Sequence, residues 1–228
     1  MKFFKRYNFI LIILLLIVLL SSVYSNIVVR CVSKFNGFTI VLDAGHGGRD
    51  GGCVGKNGTV EKEINLNYVL ALKEKLVSKG FKVELTRKND DGLYSVLAEN
   101  KKKSDMLQRF KIIEKVNPNL VISIHMNSFA SGDASGALTY YRKGDDASKY
   151  CADVIQKSLK KEGCAKIESG KVGDYYMLNC SYYTSVLVEC GFISNIEEEI
   201  KLNTESYKNQ IVNAICNGIL IYFGVVNI

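Results

Sequence analysis

The chain has 228 residues, 47% hydrophobic and 23% charged, with a formal net charge of +7. That length and composition suit one globular domain with a real core, and they exclude a disordered chain. Three of the cations, Lys2, Lys5 and Arg6, crowd the very start, so the remainder is only mildly basic; it has no dense basic patch, and no nucleic-acid partner is expected.

Residues 1–25 stand apart. Behind the basic start, Phe9 to Leu20 is an unbroken apolar run, and the small residues Ser21, Ser22 and Ser25 follow. This is the layout of an export signal peptide, with cleavage after Ser25. Twelve helical residues span about 18 Å, short of a hydrocarbon core of about 30 Å. Val23, Tyr24 and Ile27 to Val29 lengthen the run, so an uncleaved N-terminal membrane anchor is the alternative. The globular domain is expected over 38–225.

Phe38 to Leu42 is apolar apart from Thr39 and reads as a strand buried on both faces. It stops at Asp43, and a glycine-rich loop carrying His46 follows. The loop matches neither the P-loop nor the dinucleotide fingerprint, which sets nucleotide binding aside. Ile64, Tyr68, Ala71, Leu72 and Leu76 recur at helical steps, predicting a helix from Glu61 to Lys79 with Gly80 as its left-handed cap. Phe81 to Thr86 alternates and predicts a half-solvated strand.

Lys88 to Lys103 is polar and reads as a loop, with Lys101 to Lys103 as solvated surface. A helix is expected over Ser104 to Val116, with Leu107, Phe110 and Ile113 inward, stopped at Asn117-Pro118. Leu120 to Ile124 predicts a second buried strand ending at His125, and Gly136 to Tyr141 a third. Ala147, Tyr150, Cys151, Val154, Ile155 and Ser158 mark one helix face. Val186 to Val188 predicts a strand ending at Glu189. Asn195 with Glu198 resembles a capping box. Tyr207, Ile211, Ala214, Ile215 and Ile219 mark the last helix. Strands alternating with helices predict a single α/β domain, a mostly parallel sheet flanked by helices.

The chain has only two histidines, and both end apolar strands. If the strands are parallel neighbours, His46, His125 and Glu189 meet at their carboxyl ends, where open α/β folds keep their sites. Two histidines there suggest a metal. A catalytic zinc needs about three protein ligands and an open position. Glu61, opening the helix after the glycine loop, is the best third ligand; Glu63 is the alternative, but it points elsewhere on the helix. Glu189 suits a proton-transfer role.

D-A-G-H-G-G-R-D-G-G, V-E-K-E-I-N-L, S-I-H-M-N-S and L-V-E-C-G-F-I-S-N, in that order, resemble the zinc-dependent N-acetylmuramoyl-L-alanine amidases over about residues 38–225. The stretch Lys88 to Asp105 departs from the pattern. The resemblance implies a mixed sheet flanked by helices and one Zn2+ per chain, held by His46, Glu61 and His125. It implies Glu189 as the catalytic residue and Asn127, of the H-x-N, facing substrate or bracing the ligands. Arg49 and Asp50 either touch substrate or brace the loop. The implied reaction cuts the amide between N-acetylmuramic acid and L-alanine in peptidoglycan. The short build, the N-terminal segment and G-D-Y-Y-M-L before Val186 look most like germination-specific spore-cortex amidases, which prepare muramic acid for conversion to muramic-δ-lactam. A vegetative cell-separation amidase is the runner-up.

Two readings of other classes compete. One is a cysteine peptidase using Cys53 or Cys190, though Cys190 should face away from Glu189. The other is a non-catalytic wall-binding module. The seven cysteines cannot all pair within the chain and show no C-x-x-C spacing, so several read as small core residues. With no spare length for a wall-binding domain, targeting falls to the N-terminal segment, to the domain surface or to an activating partner protein.

Overall fold

The computed structural model describes residues 12–21, 37–179 and 182–225. Residues 12–21 are helical (α1), and the apolar side chains from Ile12 to Leu20 are exposed. The basic start, the proposed cleavage region, Cys31 and Cys180 lie outside the described residues. Among the described residues no helix is long and apolar enough to cross a membrane.

The domain is built on six strands: β1 (Thr39–Ala44), β2 (Lys82–Leu85), β3 (Leu120–Asn127), β4 (Leu138–Tyr141), β5 (Lys171–Val172) and β6 (Ser185–Phe192). They lie in the order β2-β1-β3-β6-β4-β5. The first four in that order run parallel, and β4 runs antiparallel to β6. The sheet is therefore mixed but mostly parallel, as expected. Helices α2 (Glu61–Ser78), α3 (Lys101–Val116), α4 (Asp146–Lys161), α5 (Tyr176–Asn179), α6 (Ile196–Leu202) and α7 (Glu205–Tyr222) cover it.

The two faces of the sheet are unequal because side chains alternate along each strand. Ile40, Leu42, Ile122, Ile124, Val186, Val188 and Cys190 join residues of α2, α4 and α7 in the main core. Each such buried aliphatic contributes about 1.5–3 kcal/mol. The other face has a small cluster of Val41, Val121, Phe110, Ile113 and Met177. Beyond that cluster, on the same alternation, come Asp43, Ser123, His125 and Glu189. The thinner layer leaves these polar side chains room for a cleft.

Several local expectations are corrected. The three central strands run past the predicted ends: Asp43, His125 and Glu189 are inside β1, β3 and β6. Helix α3 starts at Lys101, where Asn100 caps it by accepting from the Lys103 amide, so Lys101 to Lys103 are helical. Leu107 is 44% exposed, while Arg109 is buried in its place, because the inner face of α3 meets an acid, Asp43. On α4, Ala147 and Tyr150 are exposed and Ser148 is buried. The Ser148 hydroxyl accepts from the Ser185 amide, and the buried face takes in Ala152, Gln156 and Leu159 beside the expected Cys151, Val154, Ile155 and Ser158. Asn195 does cap α6, but Glu198 does not close the box; its carboxylate accepts instead from the Phe192 and Gly136 amides.

Candidate metal and active site

The ligand candidates come from three elements. β1 leads to Gly45 and His46, and His46 is held at φ 62, a left-handed conformation unusual for a residue with a side chain. β3 carries His125, just before an irregularity between His125 and Asn127 that re-aims the strand end. Glu61 opens α2, whose first amides are satisfied by the glycine loop: Glu61 N–H donates to the Cys53 carbonyl and Lys62 N–H to that of Gly51. An acid in the first turn also suits the helix dipole.

These residues converge on the Glu61 carboxylate, which is 2% exposed. His125 Nδ1 is 3.0 Å from Oε1, and His46 Nε2 is 3.2 Å from Oε2. Backbone amides fix the same carboxylate, Met126 at 3.2 Å and Cys53 at 2.8 Å. Asn65 Nδ2 donates to Oε1 at 3.3 Å and to the Gly45 carbonyl at 3.1 Å. Two glycines make this convergence possible. A Cβ on Gly45 would fall 2.1 Å from His125 Cε1; one on Gly52 would fall 2.4 Å from Glu61 Oε2. Glu63 is exposed on α2.

One donor atom from each of His46, Glu61 and His125 lies within 4.8 Å of the others. The 3.0 and 3.2 Å separations approach the roughly 3.3 Å edge that ligands about 2.0 Å from a tetrahedral ion would make. Two imidazoles and a carboxylate form a donor set suited to zinc. His46 Nδ1 lies 3.0 Å from Asp50 Oδ2, on the other side of the ring from Nε2 and Glu61. Bound through Nε2, the imidazole would keep its proton on Nδ1, facing the Asp50 carboxylate that orients it.

Glu189 stands beside this cluster: it is the register partner of His125 across the β3–β6 pair. It is buried, and its Oε2 is unpartnered among the described residues. Burial pushes its carboxyl up to about 7; His125 opposes this and Glu61 adds to it. For Glu61, burial is overcome by hydrogen bonds and charge from His125 and His46, which hold it well below the usual carboxylate range. The His46 imidazole is lowered by burial but raised overall by Glu61 and Asp50.

A buried arginine network underlies the loop. Burial raises the Asp43 carboxyl, but the Arg109 guanidinium and the Ser123 and Thr86 hydroxyls hold it at about 2. Arg109 pairs with Asp43 and Asp105, and it donates to the carbonyls of Ala44 at 2.8 Å and His46 at 2.6 Å. Arg87 donates to the carbonyls of Ala44, Gly45 and Lys62. Sequence reasoning missed both arginines. The signal for Arg109 was Asp43 itself, because an acid inside a buried strand needs a cation partner.

The cleft above the cluster has a volume of about 470 Å³, within the range of ligand pockets. Asn127 and Asp50 line it; Arg49 does not and is exposed. Cys53 lines it too, but burial and the Glu61 charge raise its thiol pKa, the wrong direction for a nucleophile. Cys190 is fully buried in the main core. The described cysteines, Cys53, Cys151, Cys164, Cys190 and Cys216, are all free.

A family model for N-acetylmuramoyl-L-alanine amidases matches residues 40–220. The germination-specific N-acetylmuramoyl-L-alanine amidase of Bacillus subtilis (strain 168) is 33% identical over 195 residues, which is 82% of this chain and 81% of the relative. Among solved structures, the CwlD amidase from Clostridioides difficile in complex with the GerS lipoprotein superposes with a TM-score of 0.79 at 38% identity, covering 83% of this chain and 100% of that one. The catalytic domain of CwlV, an amidase from Bacillus (Paenibacillus) polymyxa var. colistinus, gives 0.71 at 32% identity, covering 83% and 99%.

Proposed function

The chain belongs to the N-acetylmuramoyl-L-alanine amidase family, and from that premise we propose a zinc enzyme that frees stem peptides from muramic acid in spore-cortex peptidoglycan. The carrying observation is the Glu61 carboxylate lying against both His46 and His125, with the unpartnered Glu189 Oε2 beside them.

In this reading His46, Glu61 and His125 hold the metal. Bound there, zinc draws charge from the scissile carbonyl and makes water easier to deprotonate. Glu189 takes the proton from the attacking water and passes it to the leaving nitrogen of L-alanine. The group that protonates the nitrogen must first be able to accept a proton near neutral pH, and a carboxyl raised by burial is suited to that. Asp50 and the Arg109 contact with the His46 carbonyl orient His46. Asn127, on the cleft wall, faces the substrate.

Peptidoglycan lies outside the cytoplasmic membrane, so the domain 38–225 must be exported. The basic and apolar residues of 1–25 serve that role, as a cleaved signal or a retained anchor. The cortex assignment is supported by the likeness to the germination-specific relative. A partner protein is part of the proposal, because a structural neighbour was solved with a lipoprotein.

Mass spectrometry of digested cortex fragments tests the reaction. New peptides with free N-terminal L-alanine are expected, lost with a chelator and restored by zinc. Cleavage at another bond, or full activity in metal-free protein, would overturn the proposal.

A further inference from the structure

Six carboxylates line the cleft, but Arg109 pairs two of them and a metal held by Glu61 would offset more, so little charge is left over. The six are Asp43, Asp50, Glu61, Asp105, Asp174 and Glu189, and among the described residues only Lys102 and Arg109 bring positive charge to the cleft wall. Arg109 is consumed: it is 1% exposed, and Asp43, Asp105 and two backbone carbonyls engage it. Lys102 is different. It is exposed; no ion pair holds its ammonium group among the described residues, and its charge acts on Asp50, which also lines the cleft.

Its neighbours are not equivalent. Lys101 is directed at the Val96 carbonyl, 3.5 Å away, and over the Tyr94 ring. Lys103 does not line the cleft. All three cations are in the first turn of α3, where positive charge works against the helix dipole, so helix stability does not account for them.

An anionic group on a substrate is drawn to an unpaired cation on the cleft wall, and such a side chain selects among substrates. The stem peptide offers a carboxylate close to the cut: the residue after L-alanine is D-glutamate, joined through its side chain, which leaves its α-carboxylate free. We propose that Lys102 is a specificity-determining residue that binds this free carboxylate and favours stems carrying D-glutamate over stems in which the group is amidated. This deepens the amidase reading above and rests on it.

The test uses the full chain loaded with zinc and two soluble muramoyl peptides that differ only in D-glutamate or its α-amide at the second position. Wild type should prefer the carboxylate. Lys102→Met should lower kcat/KM for that substrate about fivefold, the scale of one exposed ion pair, through KM with kcat unchanged. It should leave the amidated substrate unaffected. Lys102→Glu should reverse the preference, and rising salt should weaken it in wild type. Lys103→Met, which makes the same charge change one residue away, should alter neither substrate. If Lys102→Met leaves the preference intact, or lowers both substrates equally, the inference is overturned while the amidase reading stands. If wild type cleaves neither substrate, nor cortex peptidoglycan with either form of the second residue, the amidase reading falls and takes this inference with it.

Discussion

Gly45→Ala isolates the geometry of the metal cluster from the stability of the fold. Gly45 does not have a positive φ, so the backbone accepts alanine without strain. The obstacle is the His125 ring: the new Cβ would lie 2.1, 2.3 and 2.6 Å from Cε1, Nε2 and Nδ1. Carbon atoms in ordinary contact stay about 3.5–4.0 Å apart. The ring must therefore retreat by about 1.5 Å, whereas metal–ligand distances tolerate only about 0.2 Å. Losing one of three ligands should weaken zinc binding by at least about 100-fold, the upper end of what disturbing a ligand's support costs. The assay is competition against a chromophoric chelator, with the melting temperature of the metal-free protein in parallel. The expected result is lost zinc affinity with a metal-free melting temperature close to wild type. Unchanged affinity would refute the claim that His125 is a ligand in the position described. A collapse of the metal-free fold would show that Gly45 acts through folding.

Glu189→Gln should keep one zinc per chain and lose about 10²–10⁴-fold in kcat; full activity by initial-rate measurement would remove Glu189 from proton transfer. Asp43, held at about 2 against a usual 3.8, has a depressed folded pKa. The stability it supplies is therefore present above about pH 4 and lost as pH falls through about 2, roughly 2 kcal/mol in all. Urea unfolding between pH 4 and 2 should show that slope in wild type and a flatter one in Asp43→Asn; identical slopes would contradict it. Gly218→Ala would place a Cβ 2.6 Å from the Ile155 Cα and push α7 off α4. Overpacking costs about 1–3 kcal/mol against a helix gain of up to about 1 kcal/mol, so melting should fall; a rise would mean propensity outweighs packing.

The site was more legible in the sequence than the network beneath it. His46, Glu61, His125 and Glu189 each interrupt or border an apolar run, and apolar periodicity is what a sequence displays most clearly. Arg109 lies in a helix rich in lysine, where a cation reads as solvated surface; only the fold shows that it reaches Asp43. Leu107, Ala147 and Tyr150 share one cause: a helix face is set by what it packs on, and residues at its border go inward or outward with the neighbouring element. A polar residue at the end of an apolar run does not mark the end of pairing. In β1, β3 and β6 the backbone ladder continues through Asp43, His125 and Glu189, since a parallel strand can carry polar side chains where one face opens into a cleft.

The alternation in β6 has a consequence for quality control. Every residue of this strand is buried, with Glu189 toward the cleft and Val188 and Cys190 in the main core. A slip of one residue in its pairing with β3 would reverse both faces, putting a carboxylate in hydrocarbon and a thiol where the acid belongs. A chain with β6 slipped would lose both its core packing and its acid, so mispairing of this strand should give inert chains rather than partly active ones.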